Sequence, residues 1–378
     1  MLKKLSLAAL IAMGSMSVAS ATPLTEAIKG VDLSGFLRIR YYHEMPKDQN
    51  TYNRWRTNGV FIFTVPASEN LKFVFRNSVK SNVYTDDNQI TDNGTTSVDS
   101  GIVNNLMFMK YSNNGFNAIV GKIPVATSIT STDPVTPAHG AGAIATYKVN
   151  NNLTVGAAYI DAIVGEVPSE ISGNDIYAAV AIFNNDMVSG NAWYYHMTQV
   201  AKYIFTASVD VKPVDNVTVH GDYATSKLYD GAAALLGVST DTKQYFNISA
   251  TVTQDALSGE LGYAYSNNKA GVIVLGADAP LNGVIPTANN TGICNATDTD
   301  AIYAKLGYNV DAKTNVYVAY QHENDKTVAN NDLDEYTVGG SYAYNKKTSF
   351  SAYYDYVDYK PADATDNGEF RFQAIYKF

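Results

Sequence analysis

A single cysteine, Cys294, leaves this chain without any intrachain disulfide. Beyond the N-terminus no apolar run approaches the roughly 20 residues that a spanning helix needs, which excludes a helical membrane protein. Charged residues are scarce at 17%, and only two tryptophans and six arginines are present. The five histidines are scattered, without metal-ligand spacing. "HGAGA" lacks the strand-to-helix setting of a phosphate loop. No nucleophile–base pair can be assembled for an enzyme. The length would allow two soluble domains. Yet no Pro- or Ser-rich linker divides the 378 residues, and one texture runs from end to end.

That texture is short alternating segments, each bounded by Asn, Asp, Gly or Pro, and 28 tyrosines. The N-terminus "MLKKLSLAALIAMGSMSVASATP" starts with Lys3 and Lys4, runs apolar, and ends at Ala19-Ser20-Ala21. It reads as a secretory signal peptide over 1–21, because Gly14, Ser15 and Ser17 interrupt it as a transmembrane anchor. An exported chain with no disulfide and no spanning helix fits a closed transmembrane β-barrel, in which every backbone polar group finds an internal mate. The expected fold is therefore all-β: residues 22–378 form one antiparallel barrel.

We expect 18 strands, with 16 as the alternative, from a first segment at 31–43 to a last at 369–378. Every second connection is short and turn-like, as in "PASEN", "NNN", "NVDAK" and "NKKT". The intervening ones are mostly long, among them 83–102, 123–142, 226–243 and 268–300. Bacterial barrels alternate short periplasmic turns with longer outer loops, so both ends are expected in the periplasm. The closing segment "GEFRFQAIYKF" puts Phe370, Phe372, Tyr376 and Phe378 on one parity and Arg371 and Gln373 on the other.

Two stretches carry a family resemblance. The last strand, ending on Phe378, resembles the insertion signal of bacterial outer-membrane proteins. "ATPLTEAIKGVDLSGFLRIRYY" resembles the start of the major outer membrane porins of Campylobacter and related bacteria: Thr22, Pro23, Leu24, Glu26 to Lys29, then Val31, Asp32, Ser34, Gly35, Leu37, Arg38, Arg40 and Tyr41. The close match covers about the first twenty mature residues and the last ten. The resemblance implies an 18-stranded homotrimeric porin that passes small hydrophilic solutes. It implies a final strand read by the barrel-assembly machinery and paired with the first. It also implies that the stretch near 123–142, after "VGKIPV", folds into the barrel.

Five of the six arginines, Arg38, Arg40, Arg54, Arg56 and Arg76, fall in the first three strands, opposite the apolar parity. On the lipid side each would cost about 2–4 kcal/mol at mid-membrane, so they are expected to face the lumen. With Lys72 and Lys80 they form the expected basic wall of a constriction. The opposing side is assigned to Asp133 and His139 of the inward loop and to lumen-parity carboxylates Asp222, Glu260 and Asp355, with Asp210 and Glu335 as further candidates. His196 and His220 are read as ordinary lumen polarity.

The formal charge of −9 becomes −11 once Lys3 and Lys4 are removed, while residues 22–80 carry nine basic against five acidic groups. Acidic loops around Asp86, Asp87, Asp92, Asp99, Asp298, Asp300, Asp332 and Asp334 should enrich cations at the mouth and give mild cation selectivity. No cofactor is expected. A loop- or lumen-bound calcium ion is compatible with these acids, although no motif spaces ligands like a calcium loop. Barrels of 16–18 strands leave an aqueous channel. The leading function is thus a general porin in the outer membrane, embedded in lipid and lipopolysaccharide and not binding nucleic acid. A surface adhesin and a barrel enzyme are the alternatives.

Overall fold

The computed structural model describes residues 30–86, 102–164, 173–269, 271–276, 278–288, 292–327, 331–360 and 366–378. The signal-peptide reading over 1–21 and the acids Asp87, Asp92 and Asp99 lie outside these residues. Eighteen strands follow one another: β1 (Asp32–Pro46), β2 (Tyr52–Pro66), β3 (Leu71–Asp86), β4 (Ile102–Asn113), β5 (Phe116–Pro124), β6 (His139–Lys148), β7 (Leu153–Val164), β8 (Ile176–Asn184) and β9 (Val188–Met197). The second half comprises β10 (Ala201–Val214), β11 (Val217–Leu228), β12 (Lys243–Gln254), β13 (Leu257–Ser266), β14 (Thr299–Asn309), β15 (Thr314–Asp325), β16 (Leu333–Ala343), β17 (Thr348–Tyr359) and β18 (Asn367–Lys377). Each pairs antiparallel with its neighbours in sequence, and β18 pairs with β1 from Phe36↔Lys377 to Pro46↔Asn367. The barrel is closed at 18 strands, not 16.

Period-two alternation decides which side chains meet lipid. On β14 to β16 the cross-strand row Leu306, Val318, Val338 points out and is at least half exposed. The neighbouring row Lys305, Ala319, Thr337 points in. At the short-turn end, one device recurs. The Oδ1 atoms of Asn150, Asn185, Asp311 and Asn345 each accept the backbone N–H groups two and three residues on, at 2.7–2.9 Å. A short Asx side chain can satisfy two turn donors at once, which is why the turns read so clearly in the sequence.

The seam explains why the chain ends on an aromatic. Phe378 and Gly35 exchange backbone hydrogen bonds of 3.1 and 3.2 Å, and the Phe378 ring lies 5.8 Å from that of Phe61. A Cβ on Gly35 would fall 1.9 Å from the Val60 carbonyl oxygen, so only glycine lets the strands approach here.

The connections at the other end depart from simple outer loops. The one after β9 is tight, with Gln199 at φ 61°. The one after β11 carries a short helix, α1 (Asp230–Leu236), ended by Gly237 at φ 66°. Most importantly, the connection between β13 and β14, expected outside, runs inward and packs on the connection between β5 and β6. Leu275 and Leu281 donate backbone hydrogen bonds to Ile129 and Ser128, and Thr132 Oγ1 donates to the Asp278 carbonyl. The first of these connections docks on the barrel wall: Ser128 Oγ lies 2.9 Å from Tyr195 Oη and 2.7 Å from Thr206 Oγ1. Around these bonds Val125, Ile129, Leu275, Leu281 and Ile285 pack against Ile160, Ile176, Met197, Ile204 and Leu228 of β7 to β11. Each such aliphatic side chain, fully buried, contributes roughly 1.5–3 kcal/mol, against about 1 kcal/mol for a hydrogen bond. The apolar contacts therefore hold both segments in the lumen. Cys294 is sealed beneath them, and burial pushes its thiol pKa up.

Candidate functional site

The register assembles the arginines into rows. Arg40 lies opposite Arg56, and Tyr42 lies between Arg54 on β2 and Arg371 on β18. Arg371 is the sixth arginine, and sequence reasoning left it out of the wall. Closure of β18 on β1 brings it there, and its lumen parity was the available clue. The guanidinium carbons of Arg54, Arg371 and Arg56 stand 4.2, 4.5 and 5.4 Å from the Tyr42 ring centroid. A ring face attracts cations, so one buried tyrosine gathers three of them.

Like charges this close need anions and acceptors. Arg54 pairs with Glu44 at 2.9 Å and Arg371 with Glu369 at 2.8 Å. Arg38 donates twice to Asn58 Oδ1, Arg40 Nε donates to Gln373, and Arg76 Nη2 donates to the carbonyls of Pro134 and Val135. Among the described residues, one buried nitrogen on each of Arg38, Arg54, Arg56, Arg76 and Arg371 finds no acceptor. The wall thus keeps N–H donors in hand.

Arg76 joins the wall to the β5–β6 connection, and that connection brings Asp133. Asp133 Oδ1 accepts the N–H groups of Val135 and Thr136 at 2.7 Å. Burial opposes its charge. The hydrogen bonds from Thr136 and Val135 and the charge of Arg38 outweigh burial, so its pKa lies below the usual value. An anion on the loop therefore stands in the field of a cationic wall.

The other sequence candidates separate. Lys80 lies opposite Asn58, next to Arg38. Lys72 does not share these rows: it faces Pro66 and Lys110, beside the turn that joins β2 and β3. Asp355 is not on the opposing side. It is fully buried on β17, opposite Glu369 and hydrogen-bonded by Thr337, which puts it next to the basic wall. The sequence expectation erred because barrel closure makes strands 17 and 1 near neighbours. His139 is also not an opposing wall residue. It shares its parity with Ala141, opposite to the inward row Gly140, Gly142, Ile144, and its ring bonds the Pro137 carbonyl. His196 likewise has outward parity, beside Met197 whose side chain points in, and its ring sits on Tyr229. Glu260 faces Lys305 across β13 and β14. Asp222 lies across the lumen on β11, bonded to His220 and Asn247. Among the described residues no His, Cys, Asp and Glu group is arranged to hold a metal ion.

Residues 1–172 match the family model of the Campylobacter major outer membrane protein. Comparison with curated proteins found no match. Among solved structures the chain is similar to Pseudomonas aeruginosa OpdL (TM-score 0.72, 13% identity, 93% of this chain and 99% of that one). It is similar to P. aeruginosa OccK3 (OpdO) (TM-score 0.72, 12% identity, 95% and 99%) and to Acinetobacter baumannii OccAB4 (TM-score 0.70, 12% identity, 92% and 98%). At such identities these likenesses bear on the fold alone. The chain thus forms a closed 18-stranded β-barrel of the outer membrane, and its first 172 residues match the family model of the Campylobacter major outer membrane protein.

Proposed function

We propose that this barrel is a general porin for passive diffusion of small hydrophilic solutes and ions, with mild cation selectivity. The observation that carries this reading is the arginine wall around Tyr42 set against Asp133 on an inward loop. Opposite charges across a water-filled passage impose a transverse field. Such a field orients small dipolar solutes and resists large apolar ones. Glu44, Glu369 and Asp133 offset much of the wall's positive charge. The excess of acid elsewhere in the chain, with its net −9, then tips the ion balance toward cations. The short-turn end faces the periplasm, and three copies assemble in lipid and lipopolysaccharide.

Planar-bilayer recording of the purified chain tests this. Stepwise ohmic conductance is expected, with a reversal potential in a salt gradient that favours cations and shrinks as salt screens the charges. A chain that inserts without conducting would leave only the adhesin or enzyme readings.

The terminal strand serves as the recognition element for the barrel-assembly machinery. Its support is the pinned aromatic end at the seam. Pulse-labelled chains lacking Phe378 should accumulate unassembled. Normal insertion rates would sink this role.

A further inference from the structure

Away from the arginine wall, a cavity of about 400 Å³ lies between the two inward loops and strands β8 to β11. Small-molecule sites commonly measure roughly 300–1,000 Å³. Strand register lays a polar row along its floor: Asn191 stands opposite Ser208, and Ser208 opposite Asp222. Ile182 and Trp193 line it from the barrel, and Leu281 and Val284 from the second loop. Trp193 is fixed by stacking on Tyr195, with centroids 5.6 Å apart and planes 5° from parallel.

The polar side of this cavity offers acceptors. Asn191 Oδ1 is buried and, among the described residues, receives no donor. His220 places Nδ1 2.8 Å from Asp210 Oδ1 and Nε2 2.7 Å from Asp222 Oδ2. A ring bonded to carboxylates at both nitrogens donates from both, which is the imidazolium form. One positive charge then serves two negative ones, and the cluster keeps a net negative charge. Asp222 and His220 line the cavity, and Asp210, behind His220 and outside the lining, remains 43% exposed on its side chain. Among the described residues no lysine or arginine lines the cavity. An anionic solute would meet a cluster of its own sign here. A cation would find an unused amide oxygen, a net negative cluster and an indole.

We propose that this cavity is a lumenal subsite for small organic ammonium ions with an apolar body. The ammonium group donates to Asn191 Oδ1 and the Asp210–His220–Asp222 cluster, and the apolar part lies against Trp193 and Leu281. The site sits beside the passage bounded by the arginine wall, so a solute held here pauses within the lumen.

The two tryptophans make the test direct, because Trp55 faces outward at 46% exposure and Trp193 lines the cavity. The full chain carrying Trp55→Phe, in detergent, is titrated with 2-phenylethylammonium while Trp193 emission is followed. A saturable change is expected. Phenylacetate has the same ring and the opposite charge, and should bind at least about tenfold more weakly, the loss of one charge-assisted hydrogen bond. Asn191→Leu and Asp210→Asn should each weaken the ammonium response by a similar factor, while Arg40→Ser should leave it unchanged. Asp210→Asn alters an exposed side chain, so it reads binding even if Asn191→Leu disturbs the fold. Equal affinity for the two probes, no saturable response, or an Asp210→Asn variant that binds like its parent would each overturn the proposal. The readout needs no current, so a chain that failed to conduct would still report on this site.

Discussion

Along β7 to β11 the lumen face carries Ile160, Ile176, Met197, Ile204 and Leu228, all at most 4% exposed. Along β1 to β3 and β18 the same face of the sheet carries six arginines, three of them gathered on one tyrosine. The pleat treats both regions alike, since it only assigns alternate residues to the inside. What differs is the cover each requires. An apolar lumen face left to water forfeits its burial energy, so it needs a lid, and the two inward loops supply it. A charged face needs counter-ions and acceptors, and Glu44, Glu369 and the Pro134 and Val135 carbonyls supply part of them. The apolar packing of the inward loops is therefore concentrated on one side of the lumen.

Breaking the filled side should have the largest effect. Leu275 is 1% exposed at the contact between the two loops, and Gly276 approaches Ser131 so closely that a Cβ would lie 2.7 Å from its backbone nitrogen. Leu275→Asp should cost more than the roughly 2–5 kcal/mol of a buried Leu→Ala change, enough to undock the loops while the strand ladder survives. Single-channel conductance should rise severalfold at unchanged barrel content by circular dichroism. Unchanged conductance would mean that the loops do not restrict the passage.

Breaking the charged side should give a smaller change of a different kind. Arg38→Ser, Arg40→Ser and Arg56→Ser together remove three cations and much side-chain volume, and the strand ladder should tolerate this because its backbone bonds are untouched. Conductance should rise less than in Leu275→Asp. The reversal potential should move further toward cations, a shift that undocking alone does not predict. If neither quantity moves, the arginines lie off the conduction path.

The smallest effect should come from the link between the two sides. Asp133 has a pKa below its usual value, so its charge adds stability to the loop above the unfolded carboxylate value near 3.8. That contribution is lost as pH falls through the lower folded value. Asp133→Asn should cost on the order of 1 kcal/mol at neutral pH, and its thermal midpoint should converge with that of the parent in strong acid. A constant gap across pH would show that the carboxylate charge contributes nothing.

The strand ladder was legible because lipid enforces alternation along the middle of β14 to β16, and because Asn150, Asp311 and Asn345 mark their turns. The face of the five early arginines was legible for the same reason. Barrel closure was harder to use: it recruits Arg371 to the wall and moves Asp355 from the far side to the near side. Neither fact follows from parity alone. The inward path of the β13–β14 connection was missed because a long loop was equated with an outer one. "GVIVLG", at 271–276, is too apolar for a solvated loop, and that run was the readable sign. The outward parity of His139 and His196 depended on strand ends and registers that periodicity fixes only loosely.

The seam between β1 and β18 has a consequence for the order in which the molecule comes into being. The filled side is built from strands contiguous in the chain, β6 to β13, with contacts that can form as soon as those segments meet. The charged side joins the two extremities: Arg40 meets Gln373 across 333 positions. Contacts of such separation carry the highest loop-closure cost and are expected late. Tyr42 gains its third guanidinium only when the final residues arrive. A truncated or stalled chain would then hold a sealed apolar half and an unfinished arginine array, so the array is completed only in the last act of folding.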